Sequence, residues 1–169
     1  INKMRAGLLA TPVVSALFAN SSISGGRANG LMSKRLMIWR DTDPDRCGLI
    51  PFVFDPDFGY ARYREWALDV RMFFVIRDKQ YHPGDGGTFR QFMEKGWQGL
   101  RATVRDWDTH LTTLFPDVRL KKIIEVRGAD TVPRRHICAL PALWKGLFYD
   151  ADSLAGVWEL LGHMPIAEI

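Results

Sequence analysis

The sequence predicts an α+β fold in a single domain. Apolar residues recur at helical spacing over 3–20, 60–70, 89–97, 104–115, 140–149 and 153–161, while two short apolar runs, 71–77 and 120–127, read as strands. No repeat, low-complexity stretch or interdomain linker interrupts them. With 169 residues, 47% of them hydrophobic, the chain can enclose one core and is short for two.

In the first helix Leu8, Leu9, Val13, Val14, Leu17 and Phe18 fall at helical spacing, so a buried helix is expected, ended by Asn20 and Ser21. Residues 21–30 are dense in Ser and Gly and read as a loop. Leu36 to Trp39 fits either a short strand or a helix end. The Asp, Pro and Gly of 41–48 demand irregular backbone. The run 71–77 reads as a strand buried on both faces, 120–127 as the strongest strand, and 128–133 as a loop before the last two helices.

The net charge is +4 and the pI near 9.3, which admits an anionic partner. Basic residues are scattered among 19 acidic ones, and clusters such as 119–122 are too short to track a nucleic-acid backbone, so no nucleic-acid partner is expected. Cys47 and Cys138 form no CxxC pair and no zinc spacing, which fits a reducing compartment. The apolar stretch 6–19 is shorter than a bilayer span, contains Thr11, Pro12 and Ser15, and precedes no cleavage pattern. A soluble, cytoplasmic protein without a membrane partner is the expectation. Both ends lack caps, as expected of a piece of something longer.

Asp41-x-Asp43-x-Asp45 has the alternation of a calcium loop, but Arg46 stands where that loop needs glycine and Phe52 where it needs glutamate, so a loop tied by Asp side-chain to backbone bonds is favoured. Gly84-Asp85-Gly86-Gly87 lacks the Lys-Ser/Thr of a phosphate loop and reads as a turn. The four histidines are dispersed and make no metal-binding pair. Period-two alternation puts Ile123, Glu125 and Arg127 on one strand face. An acid and a guanidinium side by side fit either a rim ion pair or a metal-ligand carboxylate beside a phosphate-neutralising arginine.

Several segments together resemble the plant and proteobacterial type of glutamate-cysteine ligase. They are Asn29-Gly30 with Ser33-x-Arg35, Ile38-Trp39-x-Asp41-Thr42-Asp43-x-Asp45-Arg46-x-Gly48, and His110-Leu111-Thr112-Thr113-x-Phe115-Pro116-x-Val118-Arg119-Leu120-Lys121. Glu125-x-Arg127-Gly128-Ala129-Asp130 and Arg135-x-x-Cys138-Ala139-Leu140-Pro141-Ala142-x-Trp144 through Tyr149-Asp150 continue the likeness in order.

The resemblance implies a glutamine synthetase-like antiparallel sheet with helices packed behind it, present here as an incomplete portion. It implies the first step of glutathione biosynthesis: ATP converts the glutamate side-chain carboxylate into an acyl phosphate, which the cysteine amine attacks. ATP and Mg2+ are the implied cofactors. By the same resemblance Glu125 is a metal ligand, Arg127 a catalytic phosphate clamp, and Arg35 a catalytic residue forked on a substrate carboxylate or phosphate. Arg46 and His110 would line the substrate site. The family's other metal carboxylates and nucleotide contacts lie upstream, so residues 1–169 are expected to be part of one catalytic domain and inactive alone. Cys138 matches a cysteine that plant members use in a redox-linked disulfide, whose partner would also lie upstream. The likeness fades beyond Met164. A related ligase of another thiol pathway and a noncatalytic remnant of the fold are the alternatives; the Asp41-Thr42-Asp43 spelling favours the first reading. Nothing in the sequence sets an oligomeric state.

Overall fold

In the computed structural model, which describes residues 1–165, the chain forms two compact units: 1–54 together with 116–165, and the intervening 55–115. The change expected after Met164 falls almost wholly outside the described residues.

Helix α1 (Asn2–Leu17) is the spine of the first unit. Its Ala6, Leu9, Ala10 and Val14 form a core with Trp144, Phe148 and Val157 from α6 (Ala139–Tyr149) and α7 (Ala151–Leu161). Asp150 joins the last two helices, its carboxylate accepting from the Ser153 N–H at 2.8 Å to cap α7. The helix is buried as expected at Leu8 and Val14, but Val13 and Leu17 are 50% and 67% exposed. They continue the row of Leu9 four residues at a time, and that row is covered only near its start.

Residues 21–30 hold more than a loop. Strands β1 (Ile23–Ser24) and β2 (Arg27–Ala28) pair antiparallel across Gly25 and Gly26, whose φ of 57° and 76° supply the left-handed turn that a two-residue hairpin needs. Leu36 to Trp39 is helical, within α2 (Lys34–Arg40), because Ser33 caps it through the Leu36 N–H. The aspartate loop behaves as its composition demands: Asp43 accepts from the Asp45 N–H at 3.1 Å and from Arg46 Nε at 2.7 Å. It leads to β3 (Cys47–Gly48), whose Gly48 carbonyl accepts from the Asp117 N–H at 2.9 Å.

The strand expected over 120–127 is instead a hairpin. Strand β7 (Val118–Leu120) turns at 121–123, where the Lys121 N–H donates to the Ile123 carbonyl at 2.9 Å, and returns as β8 (Ile124–Val126). Two adjacent lysines and a 66% exposed Ile123 make a solvent-facing tip rather than a continuous buried strand. Behind it α1 approaches so closely that a Cβ on Gly7 would lie 3.0 Å from Phe148 Cζ and 3.1 Å from Val118 Cγ2.

In the second unit α3 (Tyr60–Asp69), α4 (Phe89–Lys95) and α5 (Val104–Thr112) pack with a hairpin of β4 (Phe74–Arg77) and β5 (Gln80–Pro83). The strand expected over 71–77 covers only 74–77, one arm of a two-stranded ribbon; Met72 and Val75 are buried, but Phe73 is 42% exposed and Phe74 and Ile76 are only partly covered, so the run is not buried on both faces. Asp106 fixes the start of α5: it accepts from the Thr103 N–H and hydroxyl at 2.8 and 2.7 Å, and its carboxylate is forked by Arg77 at 2.5 and 2.7 Å. Desolvation pushes its pKa up, and the Arg77 and Thr103 bonds together outweigh this and lower it. Asp106→Asn is therefore expected to cost about 1–2 kcal/mol in a urea titration at neutral pH. Because the folded pKa lies below the ordinary one, this difference is present above the ordinary carboxylate range and shrinks as the pH falls through the folded value.

Strand β6 (Phe115–Pro116) completes the elements. Among the described residues every strand lies in a two-stranded sheet, so the architecture is α+β with small antiparallel ribbons. No helix of the described residues is long and apolar enough to cross a membrane.

Candidate functional site

The β7–β8 register places Arg119 directly opposite Glu125. Cross-strand partners stand close enough for their side chains to meet. Arg119 Nη2 donates to Glu125 Oε2 at 2.6 Å, and Arg127 Nη1 donates to Oε1 at 2.7 Å. The acid and the guanidinium two positions apart therefore share a face and touch, with a second guanidinium completing the group. Burial pushes the Glu125 pKa up, but the two arginine bonds together hold it below the usual carboxylate range. Charge-assisted bonds of this kind fix the Arg127 side chain in place.

Arg35 reaches the same hairpin end from α2. Its Nη2 donates to the Arg127 carbonyl at 2.7 Å and its Nη1 to the Gly128 carbonyl at 3.2 Å. Trp39, one turn further along α2, lies with its ring centroid 5.8 Å from the Arg35 Cζ and 5.5 Å from the Arg127 Cζ. A single indole thus neighbours both guanidiniums within cation–π range and lets two like charges sit close together.

Arg46 is in the same unit, only 2% exposed, and its Nε bonds Asp43 at 2.7 Å, so the contact seen orders the aspartate loop. His110 belongs to the 55–115 unit and is 4% exposed. Its Nε2 lies 2.8 Å from the Ala67 carbonyl, and its ring stacks on Phe89 at 4.9 Å. The structure thus brings Glu125, Arg127 and Arg35 together, and gives Arg46 and His110 local partners of their own.

Arg119, Trp39, Asp117 and Asp130 escaped sequence reasoning as site residues. A turn at Lys121-Lys122 would have exposed the Arg119–Glu125 register, and the four-residue step from Arg35 to Trp39 is a helical face once Ser33 is taken as a cap. Asp117 and Asp130 are set by tertiary contacts and carry no local signal. The Asp117 main chain is held by Gly48 and by the Arg127 N–H, which donates to its carbonyl at 2.8 Å. Desolvation raises its carboxyl pKa, and the charges of Arg35 and Arg127 only partly oppose this. A carboxyl whose folded pKa is raised destabilises the fold as the pH climbs from the ordinary value of about 3.9 through the folded one. Asp117→Asn should accordingly raise the melting temperature at pH 7, with the gain vanishing toward pH 4; a lower melting temperature at pH 7 would show that the arginines dominate.

Among the described residues no three His, Cys, Asp or Glu side chains converge as a metal would require. Glu125 offers one carboxylate, and both its oxygens take guanidiniums. The donor set of the described residues does not by itself fit Mg2+, whereas the converging guanidiniums suit a carboxylate or phosphate.

A family profile described as glutamate-cysteine ligase family 2 (GCS2) matches residues 1–168. The chain is 49% identical over 171 residues to the protein named glutamate-cysteine ligase, chloroplastic, of Arabidopsis thaliana, covering 99% of this chain and 33% of that relative. It is 50% identical over 171 residues to the protein of the same name from Brassica juncea, with the same shares covered. To that of Solanum lycopersicum it is 50% identical over 163 residues, 95% of this chain and 31% of the relative. The chain spans about a third of the length of the curated relatives it matches. Their names also overturn the expectation of a cytoplasmic protein: these relatives are named chloroplastic. Because the family match runs through nearly every residue, the chain belongs to glutamate-cysteine ligase family 2.

Proposed function

We propose that this chain is one wall of the active site of a glutamate-cysteine ligase, and that the whole enzyme joins the glutamate side-chain carboxylate to the cysteine amine at the expense of ATP. The observation that carries this reading is the convergence of Arg35 and Arg127 beside Trp39, with Arg127 held by Glu125. Carboxylate and amine do not condense usefully in water. When bound, ATP supplies the phosphoryl group that turns the carboxylate oxygen into a leaving group.

The residues of this chain act on charge and position. Arg127 neutralises phosphate oxygens as charge develops on them, and Glu125 keeps its guanidinium from straying. Arg35 presents a second fork, aimed by its bonds to the Arg127 and Gly128 carbonyls, for a substrate carboxylate or phosphate. Trp39 covers both and lowers the local dielectric, which strengthens each contact. Arg46 serves that site by holding the aspartate loop in shape, and His110 holds its own segment of the 55–115 unit. For Glu125 to ligate Mg2+, a guanidinium would have to swing away and further ligands come from beyond the described residues. In the whole enzyme we expect the two-stranded ribbons to join a larger glutamine synthetase-like antiparallel sheet, with 1–169 as part of one catalytic domain. Unpaired ribbon edges suit such an addition.

The test is phosphate release by the full-length enzyme containing this chain. Release that requires ATP, glutamate and cysteine together is the expected result. Release unaffected by omitting cysteine, or none at all, would overturn the reading.

A further inference from the structure

We propose that Asp130, which carries no substrate contact in the reading above, is the positioning residue for Arg35; the inference rests on the ligase reading. Asp130 is 4% exposed. Its Oδ2 accepts from the Ser21 hydroxyl at 2.7 Å and from the Asn20 N–H at 2.8 Å, and its Oδ1 accepts from the Ser33 hydroxyl at 2.7 Å. A serine hydroxyl has one proton to give. Both serines donate theirs to Asp130, which leaves their lone pairs turned toward α2.

That is where the helix needs acceptors. The first N–H groups of a helix have no partner within it. Ser21 Oγ accepts from the Arg35 N–H at 3.0 Å, and Ser33 Oγ accepts from the Leu36 N–H at 3.1 Å. One carboxylate thereby sets the polarity of both hydroxyls and fixes two consecutive amides, the first of them Arg35's own. The Arg35 side chain closes the circuit by bonding the Arg127 and Gly128 carbonyls, in the same short segment that presents Asp130. Burial pushes the Asp130 pKa up, and Ser21, Asn20, Ser33 and the Arg35 charge together bring it down, so the carboxylate is ionised and accepts from all sides. An amide at this position has one acceptor oxygen and one donor group. With Asp130→Asn, one serine loses the acceptor for its proton, and its hydroxyl is no longer locked in the orientation that receives the helix amide.

The experiment is a kinetic double-mutant cycle in the full-length enzyme with Arg35→Lys, Asp130→Asn and both together. Arg35→Lys keeps the charge and loses the fork. Asp130→Asn is expected to raise the KM for glutamate and lower kcat/KM about tenfold, with the double variant no worse than the poorer single one, since both changes spoil the same guanidinium. A purely structural role would instead let the two losses multiply, and that result, or an unchanged kcat/KM in Asp130→Asn, overturns the proposal. If Asp130→Asn does not fold, Ser21→Ala removes only the link between Asp130 and the Arg35 amide and is expected to show the same non-additivity; normal kinetics there overturns the proposal equally. An unsubstituted enzyme that releases no phosphate would sink the ligase reading itself, whereas an active one with an indifferent Asp130 sinks the positioning role alone.

Discussion

Arg127→Ala in the full-length enzyme is expected to lower kcat/KM at least tenfold, which corresponds to about 1.4 kcal/mol of lost transition-state stabilisation, and toward 10²-fold if the clamp matches other charge-stabilising donors. The side chain contributes a guanidinium held at 2.7 Å from Glu125 and set 5.5 Å from the Trp39 ring. Its removal leaves Glu125 bonded to Arg119, so the hairpin keeps one of its two ion pairs. The Arg127 N–H still donates to Asp117, because that bond is main chain. A large kinetic effect with a modest change in stability is the signature expected. Arg127→Lys should recover only part of the loss, since an ammonium cannot replace a planar fork. Unchanged turnover in Arg127→Ala would reject the clamp.

Spacing alone put Glu125 and Arg127 on one face, and the contact follows, although the strand that was to carry them is a hairpin arm three residues long. The face survives because alternation needs only two steps of extended backbone. Arg119 could not be foreseen while 120–127 stood as one strand, since its link to Glu125 depends on a turn at two lysines. The other helices were legible because apolar periodicity is a strong local signal, whereas α2 stood open between strand and helix because seven residues carry little periodicity and its cap is a single serine. The strands were legible only in part: β4 and β8 fall within the expected runs 71–77 and 120–127, but each strand is two to four residues long and is defined by its partner rather than by its own pattern. Asp130 illustrates the remainder. It ends the Glu125–Asp130 motif, but its role depends on Ser21 and Ser33, about a hundred positions away in the chain, whose hydroxyls no local rule brings to it.

Gly128→Ala should strongly destabilise the 1–54 and 116–165 unit. The backbone of Gly128 is pressed onto α1: an added Cβ would lie 2.6 Å from Thr11 Cγ2 and 2.9 Å from Ser15 Oγ. Both neighbours are buried at 5% and 4% exposure, so neither can swing into solvent. Helix α1 or the 127–130 segment must shift. The Gly128 carbonyl would then leave its bonds from Ser15 at 3.0 Å and Arg35 at 3.2 Å. Overpacking of this kind costs about 3 kcal/mol at the upper end of its range, read as a fall in the denaturation midpoint. Activity should fall with it, because Arg35 loses one of the two carbonyls that aim it. Thr11→Ser offers the control. It deletes the clashing Cγ2 and keeps the hydroxyl that donates to the Gly7 carbonyl at 2.7 Å, so in the Gly128→Ala background it should restore part of both stability and turnover. A double variant no better than Gly128→Ala alone would mean that the strain lies elsewhere along the segment, and the close approach of α1 to Gly128 would lose its claim to hold Arg35 in register.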